Sequence, residues 1–98
     1  MELYAVWRRR DGGWKEGEPI EAQAEWAEHA AFMMKGASEG KVVLAGPIDE
    51  SGALIIVRSG STEAVEAWLA EDPWTASGLL VTERIAQWRL RIGLTWVA

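Results

Sequence analysis

Residues 41–59, KVVLAGPIDESGALIIVRS, contain two apolar runs separated by a turn. The turn segment 49–52 (DESG) is rich in the residues that interrupt regular structure. The flanking segments 41–48 and 53–59 are therefore predicted to be the two strands of a β-hairpin. Their apolar runs, VVLA and LIIV, are nearly continuous, which is typical of strands buried on both faces.

The segments on either side of the hairpin complete a known order of elements. Residues 3–8 have the alternating pattern of a strand, and residues 20–38 that of an amphipathic helix. Ser61 is a suitable N-cap for a second helix, which the Asp72-Pro73 pair ends, and residues 79–92 are predicted to form the last strand. The order is that of a ferredoxin-like βαββαβ fold in the α+β class, with a four-stranded antiparallel sheet.

Length and composition favour one domain over residues 1–98 and suggest a partner for its sheet. The chain has 49% apolar residues and no cysteine, which excludes disulfides and thiolate metal sites. Two helices cover only one face of a four-stranded sheet, and an uncovered apolar face is unusual for a soluble monomer. We therefore predict a homodimer that packs through the sheet face.

Charge and hydropathy favour a cytoplasmic protein that binds neither nucleic acid nor membrane. The net charge is −5, with 15 acidic against 10 basic residues, which opposes phosphate binding. No apolar run approaches the roughly 20 residues of a membrane span. The N-terminus MELYAVWRRR runs from apolar to basic, the reverse of a secretory leader. The run Arg8-Arg9-Arg10 is interpreted as a solvated strand end or as an anion-binding group.

His29 is the only histidine and lies within the first predicted helix. On a helical wheel, His29 and Phe32 lie at the border of the apolar stripe that is predicted to face the sheet, and a cleft or interface is expected there. The stripe comprises Ala22, Trp26, Ala30, Met33 and Ala37. Such a histidine is a hydrogen-bonded packing residue, a proton-transfer catalyst or a metal ligand. No metal site is predicted, since zinc usually takes three or four protein ligands.

Asp72 is the second candidate residue, in the segment EDPWTASG. Because proline favours the first position of a helix, an N-cap role for Asp72 would by itself explain the Asp-Pro pair. Alternatively, its carboxylate orients His29 and stabilises the charged imidazole. Both roles are compatible, because a carboxylate has two oxygens. Trp74 is either a wall of the same site or a core residue.

Four segments, EHAAFM, VVLAGPI, AEDPWTASGLL and IAQW, together resemble the YciI-like (YCII-related) family. The resemblance spans nearly the whole chain. It implies a ferredoxin-like fold, a dimeric α+β barrel, and a site centred on a histidine–aspartate pair, which falls on His29 and Asp72. Relatives in the wider group include muconolactone isomerases, dehydrochlorinating enzymes and cofactor-independent monooxygenases.

Residues and resemblance together predict a lyase or isomerase that needs no cofactor. Neutral His29 would act as a general base on a lactone or on a chlorinated or phenolic ring compound, and Asp72 would stabilise the imidazolium. Predicted ligand-binding residues are Tyr4, Phe32, Gly46, Pro47 and Trp74, although Tyr4 also suits a core position. The alternatives are a non-catalytic dimer that binds a small ligand and, by fold analogy alone, an oxygenase or haem-handling barrel.

Overall fold

The fold was analysed in a computed structural model that describes residues 1–93. Its elements, in chain order, are β1 (Glu2–Arg10), a 3-10 turn (Ile20–Ala22), α1 (Trp26–Ser38), β2 (Val42–Ile48), β3 (Gly52–Ser59), α2 (Thr62–Leu69), α3 (Pro73–Ala76) and β4 (Leu80–Gln87). The predicted order of strands and main helices is confirmed. Residues 94–98, which include Trp96, lie outside the described residues, so a single domain over 1–98 stays a prediction.

The four strands form one antiparallel sheet in the order β2-β3-β1-β4. The first strand lies inside the sheet, and its Val6 pairs with Ile55 of β3 on one side and with Ile85 of β4 on the other. A register shift between Trp7 and Arg8 marks a bulge in the pairing with β4. This topology is that of the predicted ferredoxin-like fold.

The two faces of the sheet are covered differently. On one face, Tyr4, Val6 and Val57 pack with Val65 and Leu69 of α2 in a common core, and α1 lies on the same side. On the other face, β1 and β3 contribute a smaller apolar cluster of Leu3, Ala5 and Ile56, against which Leu90 packs. The helices therefore lie on one face of the sheet, as predicted.

The edge strand β2 departs from the prediction that both hairpin strands are buried on both faces. Three consecutive residues of β3, 55–57, are buried, as its apolar run predicts. On β2, however, Leu44 is 51% exposed and Ile48 is 38% exposed. The cause is topological, because among the described strands β2 pairs with β3 alone and lies at the edge of the sheet.

The first long helix begins at Trp26, six residues later than predicted. Glu25 has a left-handed backbone with φ 58°, which no helix interior allows. Gln23 is buried before it, and its side chain bonds the backbone N–H of Lys15 at 2.8 Å and the carbonyls of Lys15 and Glu18 at 2.9 and 3.2 Å. Gln23 therefore holds the loop that carries Trp14, and residues 20–25 form a 3-10 turn, the extended Gln23 and a further turn beside that loop instead of the first turns of an α-helix.

The buried side of α1 is rotated from the predicted stripe. His29 and Gly36 are its buried residues, whereas Ala22 lies outside the helix and Ala37 is exposed. The prediction that His29 lies at the border of the stripe is therefore wrong. The rotation is possible because Gly36 lacks a Cβ, which would lie 2.9 Å from a methyl group of Val42.

The later elements begin as predicted, but the last strand is shorter. The Ser61 hydroxyl accepts the Ala64 N–H at 3.1 Å and caps α2. The strand β4 ends at Gln87, which pairs with Tyr4 near the start of β1. Beyond it, Trp88 donates its backbone N–H to the Leu3 carbonyl at 2.8 Å. Because β1 begins at Glu2, it has almost no backbone groups left to pair with a longer β4. None of the helices between residues 1 and 93 has the length and apolar character to cross a membrane.

Candidate active site

Asp72 is the centre of a buried polar group beneath α1. It precedes α3 as its N-cap, and its Oδ1 accepts the Trp74 backbone N–H at 3.0 Å. The same oxygen lies 2.9 Å from Nδ1 of His29, and Oδ2 accepts a hydrogen bond from Nη1 of Arg8 at 2.6 Å. Asp72 is fully buried, and its two oxygens cap α3 and bind the side chains of Arg8 and His29.

His29 is held on two sides by its neighbours. Its ring stacks on Trp74 with centroids 3.8 Å apart and an interplanar angle of 7°. Asp72 Oδ1 accepts a hydrogen bond from Nδ1, so the neutral imidazole carries its proton on Nδ1 and has a lone pair on Nε2. The structure thus brings the two predicted residues, His29 and Asp72, into direct contact.

Arg8 is the third member of the group, and sequence reasoning missed it. Its side chain is fully buried, and Nη2 donates to the Thr75 hydroxyl at 2.5 Å. Among the described residues, none accepts a hydrogen bond from its Nε. The interpretation of Arg8 as part of a solvated strand end is therefore wrong. Alternation along β1 could have indicated it, because Arg8 shares the helix-covered face with Tyr4 and Val6.

The charges of the group favour an ionised Asp72. Burial raises the pKa of its carboxyl, but the hydrogen bonds from His29 and from the Trp74 N–H, together with the nearby charge of Arg8, outweigh burial and hold that pKa below its usual value. Burial lowers the pKa of Arg8, and the neighbouring Asp72 opposes that change. The Arg8–Asp72 contact is therefore a buried ion pair.

A cavity of about 220 Å³ lies beside this group, and His29 and Trp74 form part of its wall. Much of the remaining wall is apolar, from Trp14, Ile20, Trp26, Met33, Ile55 and Leu80. The Gly46-Pro47 segment of β2 also lines it, and ligand binding by this segment stays a prediction. An apolar cavity with few polar groups is the usual form of a site for a small organic ligand.

Two predicted ligand-binding residues do not line this cavity. Tyr4 belongs to the core between the sheet and α2. Phe32 stacks on Trp68, with ring centroids 4.8 Å apart, on another part of α1. Tyr4 precedes the cavity-facing part of β1, and Phe32 lies one turn along α1 from His29, where it contacts Trp68 of α2.

Candidate metal ligands do not gather around His29. Over residues 1–93, no three histidine, cysteine, aspartate or glutamate side chains lie close enough together to hold a metal ion. Among the described residues, the ionisable side chains of the cavity wall are His29 and Arg10, and Asp72 with Arg8 lies behind His29.

A family model of the YCII-related domain matches residues 3–89. The chain belongs to the YCII-related family. A search of the curated proteins found no match. Among solved structures, the YCII-related chain is similar to 5-chloro-2-hydroxyhydroquinone dehydrochlorinase (TftG) from Burkholderia phenoliruptrix AC1100, in complex with 2,5-dihydroxybenzoquinone. The two share 21% identity over 89% of this chain and 93% of the other, with a TM-score of 0.60, which supports a common fold.

Arg10 is a second arginine of this YCII-related chain that sequence reasoning did not single out by itself. It lines the cavity from the end of β1, and its guanidinium lies over the Trp14 ring at 4.4 Å. Its Nη1 donates a hydrogen bond to the Glu50 carbonyl at 2.6 Å. Among the described residues of the wall, Arg10 is the one with a permanent charge.

Proposed function

We propose that this YCII-related protein is a small-molecule enzyme in which His29 acts as a general base. The reaction would be a lyase or isomerase step on a lactone or on a chlorinated or phenolic ring compound, and it needs no cofactor. The observation that carries the proposal is the 2.9 Å contact between His29 Nδ1 and the buried Asp72 carboxylate, at the wall of a cavity. This contact leaves Nε2 as the nitrogen that can take a proton.

The proposed step is a proton transfer assisted by charge. Nε2 of His29 takes a proton from a C–H or O–H group of the substrate, and the electron pair of that bond forms a new double bond. In an elimination, the leaving group departs with its own bonding pair, for example as chloride, and the imidazolium releases its proton to water. In an isomerisation, the imidazolium returns the proton to another carbon. Asp72 stabilises the imidazolium in both cases, and proton transfer of this kind contributes about 10² to 10⁴ in rate.

The size and lining of the cavity support a single ring as substrate. Apolar cavities of about 150 Å³ can hold benzene, and the cavity beside His29 measures about 220 Å³. A six-membered ring with a few substituents therefore fits. The similar dehydrochlorinase acts on a chlorinated hydroquinone and was solved with a dihydroxybenzoquinone, compounds of this size.

The test is a turnover screen of lactones, chlorinated quinols and catechols with wild type and His29→Gln. We expect the substitution to lower kcat by about 10² to 10⁴. Glu28→Gln is the matched control, because Glu28 is the exposed neighbour on the same helix and should leave kcat unchanged. A substrate that His29→Gln turns over at the wild-type rate would contradict the proposal. Tight binding without turnover across the screen would favour a non-catalytic ligand-binding dimer.

The role of Asp72 has a separate readout in the tautomer of His29. In Asp72→Asn, the amide oxygen is expected to stay toward the charged Arg8, which places the NH₂ group toward Nδ1 of His29 and leaves the Trp74 N–H without its acceptor. The neutral imidazole would then carry its proton on Nε2, the nitrogen needed as a base. Imidazole ¹⁵N shifts should show Nδ1–H in wild type and Nε2–H in the variant, with lower kcat. The same tautomer in both proteins would refute the orienting role.

The proposed enzyme is a homodimer through the sheet face opposite the helices. That face carries Leu3, Ala5 and Ile56, and Leu44 of the edge strand is half exposed on the same side. Light scattering should give twice the chain mass at micromolar concentration, and a monomer mass would refute the dimer. The cytoplasmic location inferred from sequence stays a prediction.

A further inference from the structure

We propose that the substrate of this cavity is an anionic ring compound and that Arg10 binds its carboxylate or phenolate group. The inference deepens the proposed function, because it names the chemical class that the His29 site would take. It concerns a residue outside the Arg8–Asp72–His29 group. Arg10 would therefore determine specificity rather than carry out the proton transfer.

The position of Arg10 follows from the alternation along β1. From Tyr4 and Val6 onward, every second residue of this strand faces the helices, which places both Arg8 and Arg10 on the side of the site. Arg8 is neutralised by Asp72 at 2.6 Å. Arg10 instead lines the cavity, so the two arginines have different electrostatic environments although only one residue separates them.

The charge of Arg10 is not balanced inside the cavity. No carboxylate belongs to the described residues of the wall, and His29 is neutral in the proposed resting state. Glu16, Glu18 and Glu50 accompany Arg10 around a neighbouring hollow of the surface instead. The Glu50 backbone carbonyl accepts a hydrogen bond from Nη1, and a guanidinium has five N–H donors in a fork that matches a carboxylate. An anion in the cavity would give the guanidinium a charged partner on the side where the described wall has no carboxylate.

The aromatic rings between the two groups define how a ligand would lie. Arg10 sits over Trp14 at 4.4 Å, Trp14 meets the Trp74 ring edge-on at 5.4 Å, and Trp74 stacks on His29 at 3.8 Å. Two indole rings thus separate the guanidinium from the imidazole. Because Arg10 and His29 line the same cavity, a ligand with its ring against these indoles would direct an anionic substituent toward Arg10 and its reacting C–H or O–H group toward His29.

The test compares benzoate with benzamide, which have nearly the same shape and differ in charge. Binding is followed by the fluorescence and indole N–H signals of tryptophan, since three tryptophans line the cavity. Wild type should bind benzoate about tenfold or more tightly than benzamide, as expected for a charge-assisted hydrogen bond. Arg10→Met should reduce this preference to near one without weakening benzamide, and Arg10→Lys should retain part of it.

Arg9→Met is the matched control, because Arg9 is exposed and projects from the opposite face of β1. It should leave the preference for benzoate unchanged. Equal affinity for the two probes in wild type, an unchanged preference in Arg10→Met, or no binding of either probe would overturn the proposal. The assay requires no turnover. If His29→Gln loses turnover but wild type shows no preference for benzoate over benzamide, only the role of Arg10 is refuted. If benzoate binding depends on Arg10 but no compound of the screen is turned over, only the catalytic proposal is refuted.

Discussion

Replacing Arg8 by methionine is the most direct test of the buried ion pair. Methionine keeps much of the length of the side chain but removes the donors to Asp72 at 2.6 Å and to Thr75 at 2.5 Å. Both charged side chains are fully buried in the folded protein. The Asp72 carboxylate would then be left with His29 and the Trp74 N–H as its remaining partners.

The expected loss is large because the pair is inaccessible to solvent. Removing one partner of a buried ion pair costs about 3–5 kcal/mol of the free energy of unfolding. In a domain of this length, each kcal/mol corresponds to about 4–8 °C in Tm, so the midpoint should fall by roughly 12–40 °C. The Nε of Arg8, which has no acceptor among the described residues, places the result toward the lower end of this range, since methionine relieves that unpaired donor.

Urea denaturation of four proteins separates the pair from its parts. They are wild type, Arg8→Met, Asp72→Asn and the double variant, with the exposed Arg9→Met as a control that should change stability by less than about 0.5 kcal/mol. The double variant should lose less than the two single losses added together, by about 0.5–3 kcal/mol, because residues in contact are coupled. A loss below about 1 kcal/mol in Arg8→Met, or strictly additive losses, would refute this account of the pair, since breaking a buried pair is expected to cost several times more.

Two further results follow from the structure. Because the pKa of Asp72 is lowered in the folded state, its contribution to stability is present above the unfolded carboxyl value of about 3.9 and is lost as the pH falls through the folded pKa. Urea unfolding between pH 7 and pH 3 should therefore show a smaller acid-induced loss in Asp72→Asn than in wild type, and equal losses would contradict the lowered pKa. Gly36→Leu should lower the free energy of unfolding by about 1–3 kcal/mol, since even a Cβ there would lie 2.9 Å from Val42 and 3.0 Å from Trp68. Gly12→Ala, at a position with nothing within 4 Å, is the control, and equal Tm values for the two variants would contradict tight packing at Gly36.

The sequence predicted the fold because periodicity and turn residues agree along most of the chain. The hairpin at 41–59 and the caps at Ser61 and Asp72 are local signals, and local signals determine where elements begin and end. The predicted start of α1 is wrong because the Gln23 side chain forms hydrogen bonds with the backbone of Lys15 in the preceding loop. Apolar periodicity carries no information about such a contact. The end of β4 was mispredicted because it depends on where β1 begins.

The candidate site was predictable in its chemistry but only partly in its geometry. The residues alone leave a pairing of His29 with Asp72 as one of several alternatives, and the family resemblance favours it, whereas periodicity predicts a border position for the histidine. Arg8 was missed because a run of three arginines normally marks a solvated segment. The burial of Arg8 depends on a tertiary contact with Asp72, the N-cap of α3. The same helical wheel predicts a cleft at Phe32. The prediction fails because close packing at Gly36 rotates the buried side of α1 away from the predicted stripe.

The alternation of arginines along β1 also affects the fidelity of folding. A strand that shifts by one residue against its neighbours turns all its side chains to the opposite face. In such a misfolded sheet, Arg8 and Arg10 would point away from the helices, Arg9 would enter the core, and Asp72 would be buried without its cation. The native pairing of Val6 with Ile55 is therefore distinguished from its nearest competitors by charge as well as by apolar contact. The ion pair that supports the site thus also discriminates against misregistered sheets during folding.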